Sequence, residues 1–277
     1  MMNDDPPMTP DEPIDRFGER IPIRVPARHS PKLAAIIERV NAGERLYALW
    51  VAQNVNAVDR LQMSDHGPVH VQIVANSALR LLRLIVEAGA AAAVVSDYGM
   101  SGEDAEVVVV LAALLHDVGM SIHRESHEAY SLFVAQPILI DLLGDVYGEP
   151  EATIVRSEIL HAIIAHRSGG TPLTLEAGVL RVADALDMEQ GRSRIPFESG
   201  STSIHAVSAA SIAGVRIEKG GDTPVRIRIA MTNSAGVYQV DKLLRDKLKG
   251  SGLEPFVAVE AHIEGETEKR IVQSFRL

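Results

Sequence analysis

Apolar residues recur every three or four positions from Pro31 onward, first in LAAIIERV and then in ERLYALWVAQNVNAVDRL. That spacing lines one face of an α-helix. Residues 1–28 lack it, and six prolines (Pro6, Pro7, Pro10, Pro13, Pro22, Pro26) with an acidic start predict a disordered tail. Ser64 and Asp65 ahead of His66-Gly67-Pro68 mark a helix start, since proline is tolerated in a first turn. VHVQIVANSALRLLRLIVEAG then continues as helix. Ser101, followed by Glu103 and Asp104, opens the next, because acidic side chains suit the positive end of a helix dipole. It carries nine consecutive apolar residues, Val107 to Leu115, up to His116. Ser126 is expected to cap a helix through EAYSLFVAQPILIDLL, another runs from Glu151 to about Arg167, and Thr174 caps one that stops near Gly191.

Beyond about residue 200 the period changes. VSAASIAGVRIEKG, PVRIRIAMT, LEPFVAVEAHIEG and KRIVQSFRL are rich in Val and Ile, and several alternate as strands do. YQVDKLLRDKLKGSG between them reads as a helix with a glycine stop. The chain is therefore expected to be mainly α. A helical domain over residues 29–198 is followed by a small α+β module, ββαββ in order, over 199–277.

Of the 277 residues 46% are hydrophobic but only 4% aromatic, so Ala, Val, Leu and Ile must carry the packing. A net charge of −10 argues against general electrostatic binding of nucleic acid, though a local basic pocket can sit on an acidic protein. There is no cysteine, so any metal must be held by nitrogen and oxygen ligands. The longest unbroken apolar stretches fall short of the ~18 residues of a membrane span. The first residues lack the basic and apolar regions of a signal peptide, so a cytoplasmic protein without a membrane partner is expected.

Ten histidines are present, and seven of them lie between positions 66 and 166. His66 and His70 are four apart, the spacing of one helix face, but Gly67 and Pro68 put the helix start between them. His116-Asp117 sits where the apolar helix runs out, His127 at the start of a third helix, and His161 and His166 on a fourth. Five residues on a helix is ~140° of rotation, so those last two share a site only if the helix end unwinds. Asp184 lies mid-helix, flanked by apolar residues, and a carboxylate there needs a metal or an arginine beside it.

The order His70, His116-Asp117, Asp184 resembles the HD superfamily of metal-dependent phosphohydrolases. HVQIVA, LLHDVG and RVADALD carry the resemblance, which covers roughly residues 60–190. ESHEAYS, HAIIAH and GGTP are similar to segments of the HD domains of ribonuclease Y and the HD-GYP phosphodiesterases. The resemblance implies an all-helical HD bundle with one or two divalent ions (Mn, Fe, Mg or Zn). Its ligands would be His70, His116, Asp117 and Asp184, with His127, His161 and His166 at the places of the extra histidines and His66 as a further candidate. Asp117 would be the catalytic bridge between two ions, and metal-activated water would attack a phosphodiester or nucleotide phosphomonoester. Arg167, Arg192 or Arg194 would meet the charge on the substrate phosphate.

Departures are visible too. Met120 stands where many members have lysine, His166 is single where the HD-GYP and ribonuclease Y types have paired histidines, and Gly170-Thr171-Pro172 replaces GYP. The last counts against cyclic di-GMP. His123 is read as a support behind the ligands or as solvent-facing, Asp187 as a helix-surface group or a support behind the ligands, and His205 and His262 as structural. The rival reading is a non-catalytic HD module with a structural metal, one that binds a nucleotide-like ligand or mediates assembly. Self-association through the C-terminal module belongs with it. A nucleic-acid-processing role ranks below both.

Overall fold

The structure is a computed structural model, and it describes residues 20–167, 169–189, 208–263 and 275–276. The expected tail before residue 20, Arg192, Arg194, His205 and the boundary at 198/199 lie outside the described residues.

The helical part runs α1 (Pro31–Ala42), α2 (Glu44–Asn54), α3 (Pro68–Glu87), α4 (Ala93–Tyr98), α5 (Gly102–Leu115), α6 (His127–Leu143), α7 (Glu151–Ala165) and α8 (Leu175–Ala185). The middle of the bundle is α5. Its start is fixed by a reciprocal capping box between Ser101 and Asp104. Every side chain from Val107 to Leu115 is buried, as expected of a helix enclosed on all sides. Helices α1, α3, α7 and α8 pack around it. The indole of Trp50 on α2 donates to the Leu114 carbonyl at 2.9 Å, satisfying a backbone acceptor where the helix ends.

By length and hydropathy α3 could cross a membrane, but 56% of that window is buried, and the helix packs against α5 and α8. It is a core helix. The short α4 was not anticipated as a separate element. Its first N–H groups, Ala93 and Val94, donate to the buried carboxylate of Glu176 on α8 at 3.0 and 3.1 Å. Thr174 caps α8 as expected, its Oγ1 accepting from the Ala177 N–H at 3.2 Å. Ser126 does not cap α6. Its backbone is left-handed, φ 59°, whereas a side-chain cap needs extended backbone, and no cap bond forms.

The expected ββαββ order is present. Strand β1 (Ile212–Lys219) pairs antiparallel with β2 (Val225–Met231), β2 parallel with β3 (Val257–Ile263), and β3 antiparallel with β4 (Phe275–Arg276). The first strand starts later than the sequence suggests, because Ser208 to Ser211 form a turn. The crossover between β2 and β3 is a π-helical turn, Gln239–Leu244, running into α9 (Arg245–Leu248). Val225, Ile227, Ile229 and Met231 alternate inward from β2, as do Val257, Val259 and Ala261 from β3.

That apolar face joins the bundle in one continuous core. The seam lies along α8. A Cβ on Gly178 would stand 2.1 Å from the Ser251 carbonyl oxygen, so only glycine lets the chain beyond α9 lie this close. Arg181, 5% exposed, donates Nε to the Lys247 carbonyl at 2.9 Å and Nη2 to the Asp246 carbonyl at 3.1 Å. Its Nη1 donates to the Gly170 carbonyl.

Candidate metal centre

Five imidazoles and two carboxylates converge at one end of α5. His116 is the residue after that helix, still helical in backbone, but Asp117 is not (φ −105°, ψ 2°). This change of direction undoes the ~100° divergence of adjacent helical residues. The two side chains therefore meet, His116 Nε2 lying 3.3 Å from Asp117 Oδ2. The turn continues as a single 3-10 turn, Val118–Ser121. Gly119 in it packs against α6 so closely that a Cβ would stand 2.1 Å from the His127 carbonyl oxygen and 2.4 Å from the Ser131 nitrogen. Ser131 joins the two elements, accepting from the Gly119 N–H at 2.8 Å and donating to the His116 carbonyl at 2.7 Å.

His70 comes from the first turn of α3, His127 from the start of α6, His166 from just after α7 and Asp184 from the end of α8. His66 lies in the segment before α3. Its N–H donates to Asn54 Oδ1 at 2.9 Å and its carbonyl accepts from Gln53 Nε2. Both partners sit where α2 opens into a π-helical turn, Val55–Arg60, a feature common near functional sites. From that turn Asn56 also donates to the carbonyls of Met120 and Ser121, at 2.7 and 3.1 Å.

Every one of the five rings has an acceptor at Nδ1. The partners are the Ser64 carbonyl for His66 (2.7 Å), Asp187 Oδ2 for His70 (2.5 Å), the Ala113 carbonyl for His116 (2.8 Å), the Arg124 carbonyl for His127 (2.9 Å) and the Ile163 carbonyl for His166 (2.5 Å). A carbonyl or carboxylate at Nδ1 favours the proton there, which leaves the Nε2 lone pair for the interior of the cluster; at His127 alone of the five, Arg124 Nη1 also stands 2.8 Å from Nδ1. This is the arrangement that orients metal-binding histidines.

The spacing of the inward atoms fits a small cation. His70 Nε2 and His116 Nε2 are 3.3 Å apart, two acceptors that repel unless positive charge lies between them. Asp117 Oδ2 is 3.5 Å from His70 Nε2, and Asp184 Oδ1 is 3.8 and 3.6 Å from His70 and His116 Nε2. Ligands about 2.1 Å from one metal at tetrahedral angles are about 3.4 Å from each other. The other oxygen of Asp117, Oδ1, faces His127 Nε2 at 3.0 Å and His166 Nε2 at 4.0 Å. Three groups can each hold an ion: His70, His116 and Asp117; His116, His166 and Asp184; and Asp117, His127 and His166. The residues present thus suit one divalent ion or two, with Asp117 shared between lobes.

The charges agree. Burial would raise the Asp117 carboxyl, but His116, then His127 and His70, hold it well below the usual carboxylate range. Burial likewise opposes the ionised Asp184, and Lys247 followed by His116 holds it low. For His116 burial disfavours the cation, yet Asp117 and Asp184 outweigh it and push the imidazole up to about 10. His166 is depressed to about 3, by burial first and then by the charges of His116 and Lys247. The two carboxylates thus favour positive charge among these rings: on His116 in the bare cluster, and on a divalent ion where one is held.

The HD domain, as a family, matches residues 60–189, a span that holds every residue of this cluster from the helical part. The chain is 42% identical over 236 residues to uncharacterized protein MJ1020 of Methanocaldococcus jannaschii, covering 85% of this chain and 90% of that protein. The chain belongs to the HD-domain family. HD domains bind divalent metals, and metal-dependent hydrolysis is the general activity of the family.

Within this HD domain not every candidate converges. His161 belongs to none of the three groups; its Nε2 accepts the Leu173 N–H at 3.0 Å. Helix α7 keeps its helical backbone through His166, so the rotation between positions 161 and 166 is not undone. Arg167 is exposed, and Arg192 lies outside the described residues. His66 Nε2 stands 4.0 Å from Asp117 Oδ2, at the edge of the cluster. His123 is exposed, its Nδ1 accepting the Glu125 N–H.

Two further groups support the ligands. Asp187, expected either on the helix surface or as a support behind the ligands, is buried and takes the second role, accepting from His70 Nδ1; its signal is the three-residue spacing from Asp184. Lys247 sits on Asp184, Nζ to Oδ2 at 3.3 Å, a lysine where a metal or an arginine is expected from sequence. No local pattern marks it, since DKLLRDKLK reads as an ordinary solvated helix.

Proposed function

We propose that this protein is a phosphohydrolase that uses one or two divalent ions (Mn, Fe, Mg or Zn) to hydrolyse a phosphodiester or a nucleotide phosphomonoester. One observation carries the reading: five imidazoles, each anchored through Nδ1, aim Nε2 at two carboxylates, and Asp117 offers its two oxygens to different partners. When bound, the metal supplies Lewis acidity and a water acidic enough to act as nucleophile near neutral pH.

The protein's own residues do the rest. Asp117 brings negative charge among the histidines and would hold the metal with them as the catalytic carboxylate, while Asp184 adds a second carboxylate beside His70 and His116. The fixed rings need no reorientation, so the geometry is preorganised. The substrate is taken as a small phosphorylated molecule, because the acidic chain offers no basic stripe for a nucleic acid.

The test is to measure metal in the purified protein, then assay nucleotides, cyclic nucleotides and short RNA with and without Mn²⁺. Turnover that needs metal and disappears in Asp117→Ala is the expected result. Bound metal with no turnover on any of these substrates supports the non-catalytic alternative. Protein that takes up no metal overturns the proposal.

A further inference from the structure

We propose that Lys247, delivered by the C-terminal module, is the cation that meets the substrate phosphate in this metal centre. The inference rests on the phosphohydrolase reading above and names a group for it that the HD segment itself does not supply. Met120 follows His116-Asp117-x-Gly119 and is fully buried, with no charge to offer. Arg167 is exposed. Arg124 lies against the His127 ring, its Nη1 2.8 Å from Nδ1 and 3.4 Å from Nε2, and contacts the cluster through that ring. Among the described residues Lys247 is the one lysine or arginine paired with a carboxylate of the cluster.

Its geometry suits the task. Nζ donates to the His166 carbonyl at 2.6 Å and reaches Asp184 Oδ2 at 3.3 Å. An ammonium has three N–H donors, so a third remains for an oxygen that enters the cluster. The side chain is 20% exposed, buried enough to be held and open enough to be reached. Asp184 divides its two oxygens, Oδ1 toward His70 and His116 and Oδ2 toward Lys247, so the ammonium sits directly beside the proposed ligand shell.

The placement is also built rather than incidental. Arg181 holds the backbone carbonyls of Asp246 and Lys247 from α8, the helix that carries Asp184. The same guanidinium holds the Gly170 carbonyl in the loop after His166. Gly178 lets the chain at Ser251 lie against α8. One buried arginine thus fixes the lysine's backbone relative to both residues that its side chain touches. The module supplies a functional group to the site of the HD domain.

The test uses the full chain loaded with Mn²⁺ and inorganic phosphate as probe, with affinities from calorimetry. Lys247→Met is expected to take up Mn²⁺ in the same stoichiometry and to bind phosphate at least tenfold more weakly, the scale of one lost charge-assisted hydrogen bond. Lys242→Met removes a charge from the same helical segment, where Lys242 pairs with Asp246 in solvent, and is expected to leave phosphate affinity unchanged. Equal loss in both variants, or no loss in Lys247→Met, overturns the assignment. In the unmutated chain, phosphate with Mn²⁺ is expected to slow acetylation of Lys247 at least threefold and leave that of Lys242 unaltered. Unprotected Lys247 overturns the proposal even if the methionine variant misfolds. If the unmutated chain takes up none of Mn²⁺, Fe²⁺, Mg²⁺ and Zn²⁺, the metal reading fails and this proposal with it. Mn²⁺ uptake with an unchanged phosphate affinity defeats the lysine alone.

Discussion

Asp187 accepts a hydrogen bond from His70 Nδ1 at 2.5 Å, across 117 positions of the chain, and both side chains are buried. The contact joins the start of α3 to the chain just past α8, and it fixes which nitrogen of His70 faces the cluster. Asp187→Asn keeps the shape but lets the ring choose its tautomer. Metal affinity is expected to fall ten- to a hundredfold, the usual cost of losing such a support. Titration with Mn²⁺ followed by calorimetry measures it, and unchanged affinity would remove Asp187 from the site.

His161 and His166 should separate cleanly. His166→Ala removes a ring 4.0 Å from Asp117 Oδ1 and is expected to lower metal content, most strongly at any second ion. His161→Ala is expected to leave metal content unaltered, because its ring serves the Leu173 N–H instead. Elemental analysis of the two variants side by side decides the point.

Gly119→Ala places a Cβ against two backbone atoms, which cannot rotate away as a flexible side chain would. The 3-10 turn and the start of α6 must part. A loss of about 2–4 kcal/mol in stability is expected from such overpacking at a fixed turn, read by denaturant unfolding. Metal content should fall as well, since Asp117 and His127 flank that contact.

Asp104 gives a pH prediction distant from the metal cluster. Burial alone would raise its carboxyl, but Lys32 Nζ at 2.7 Å, the Ser101 N–H and the Tyr147 hydroxyl lower it below its ordinary value of 3.8. A depressed carboxylate stabilises the fold fully above its unfolded pKa, and that contribution is lost as pH falls through the folded value. Asp104→Asn is therefore expected to cost about 2 kcal/mol at pH 7, Lys32 being partly exposed, and the gap to the unmutated chain should narrow only below about pH 4. Thermal unfolding of both proteins from pH 7 to 3 traces it.

Chelation offers the most direct test of the cluster as a whole. Ligand atoms 3.3 Å apart, such as the two Nε2 atoms of His70 and His116, are stabilised by a cation between them. Saturating Mn²⁺ at about a hundred times its Kd is expected to add roughly 2.7 kcal/mol to unfolding, reversed by a chelator.

The ligand set His70, His116-Asp117 and Asp184 is legible through the resemblance to the HD superfamily. The apolar run to Leu115 places His116-Asp117 at a helix end, whereas periodicity puts Asp184 in mid-helix and α8 in fact stops at Ala185. The alternation of Val and Ile locates the strands. His161 was misplaced because periodicity gives rotation along a helix but not whether its last turn unwinds. Ser126 failed as a cap for a similar reason: a serine before a helix promises an acceptor, while the backbone conformation decides whether it can be used. Lys247 was beyond reach. Its role depends on a contact 63 residues from Asp184, set by the packing of one module on another.

The buried guanidinium of Arg181 has a consequence for how the chain can be divided. Three backbone carbonyls, two of them in the C-terminal module, are its acceptors. A polypeptide ending ahead of β1 would keep every proposed metal ligand yet strand that charge with most of its acceptors gone and lay bare the apolar flank of α8 around Gly178. The helical part is therefore no detachable cassette, and shuffling it alone between genes would transfer the ligand residues without a self-sufficient protein.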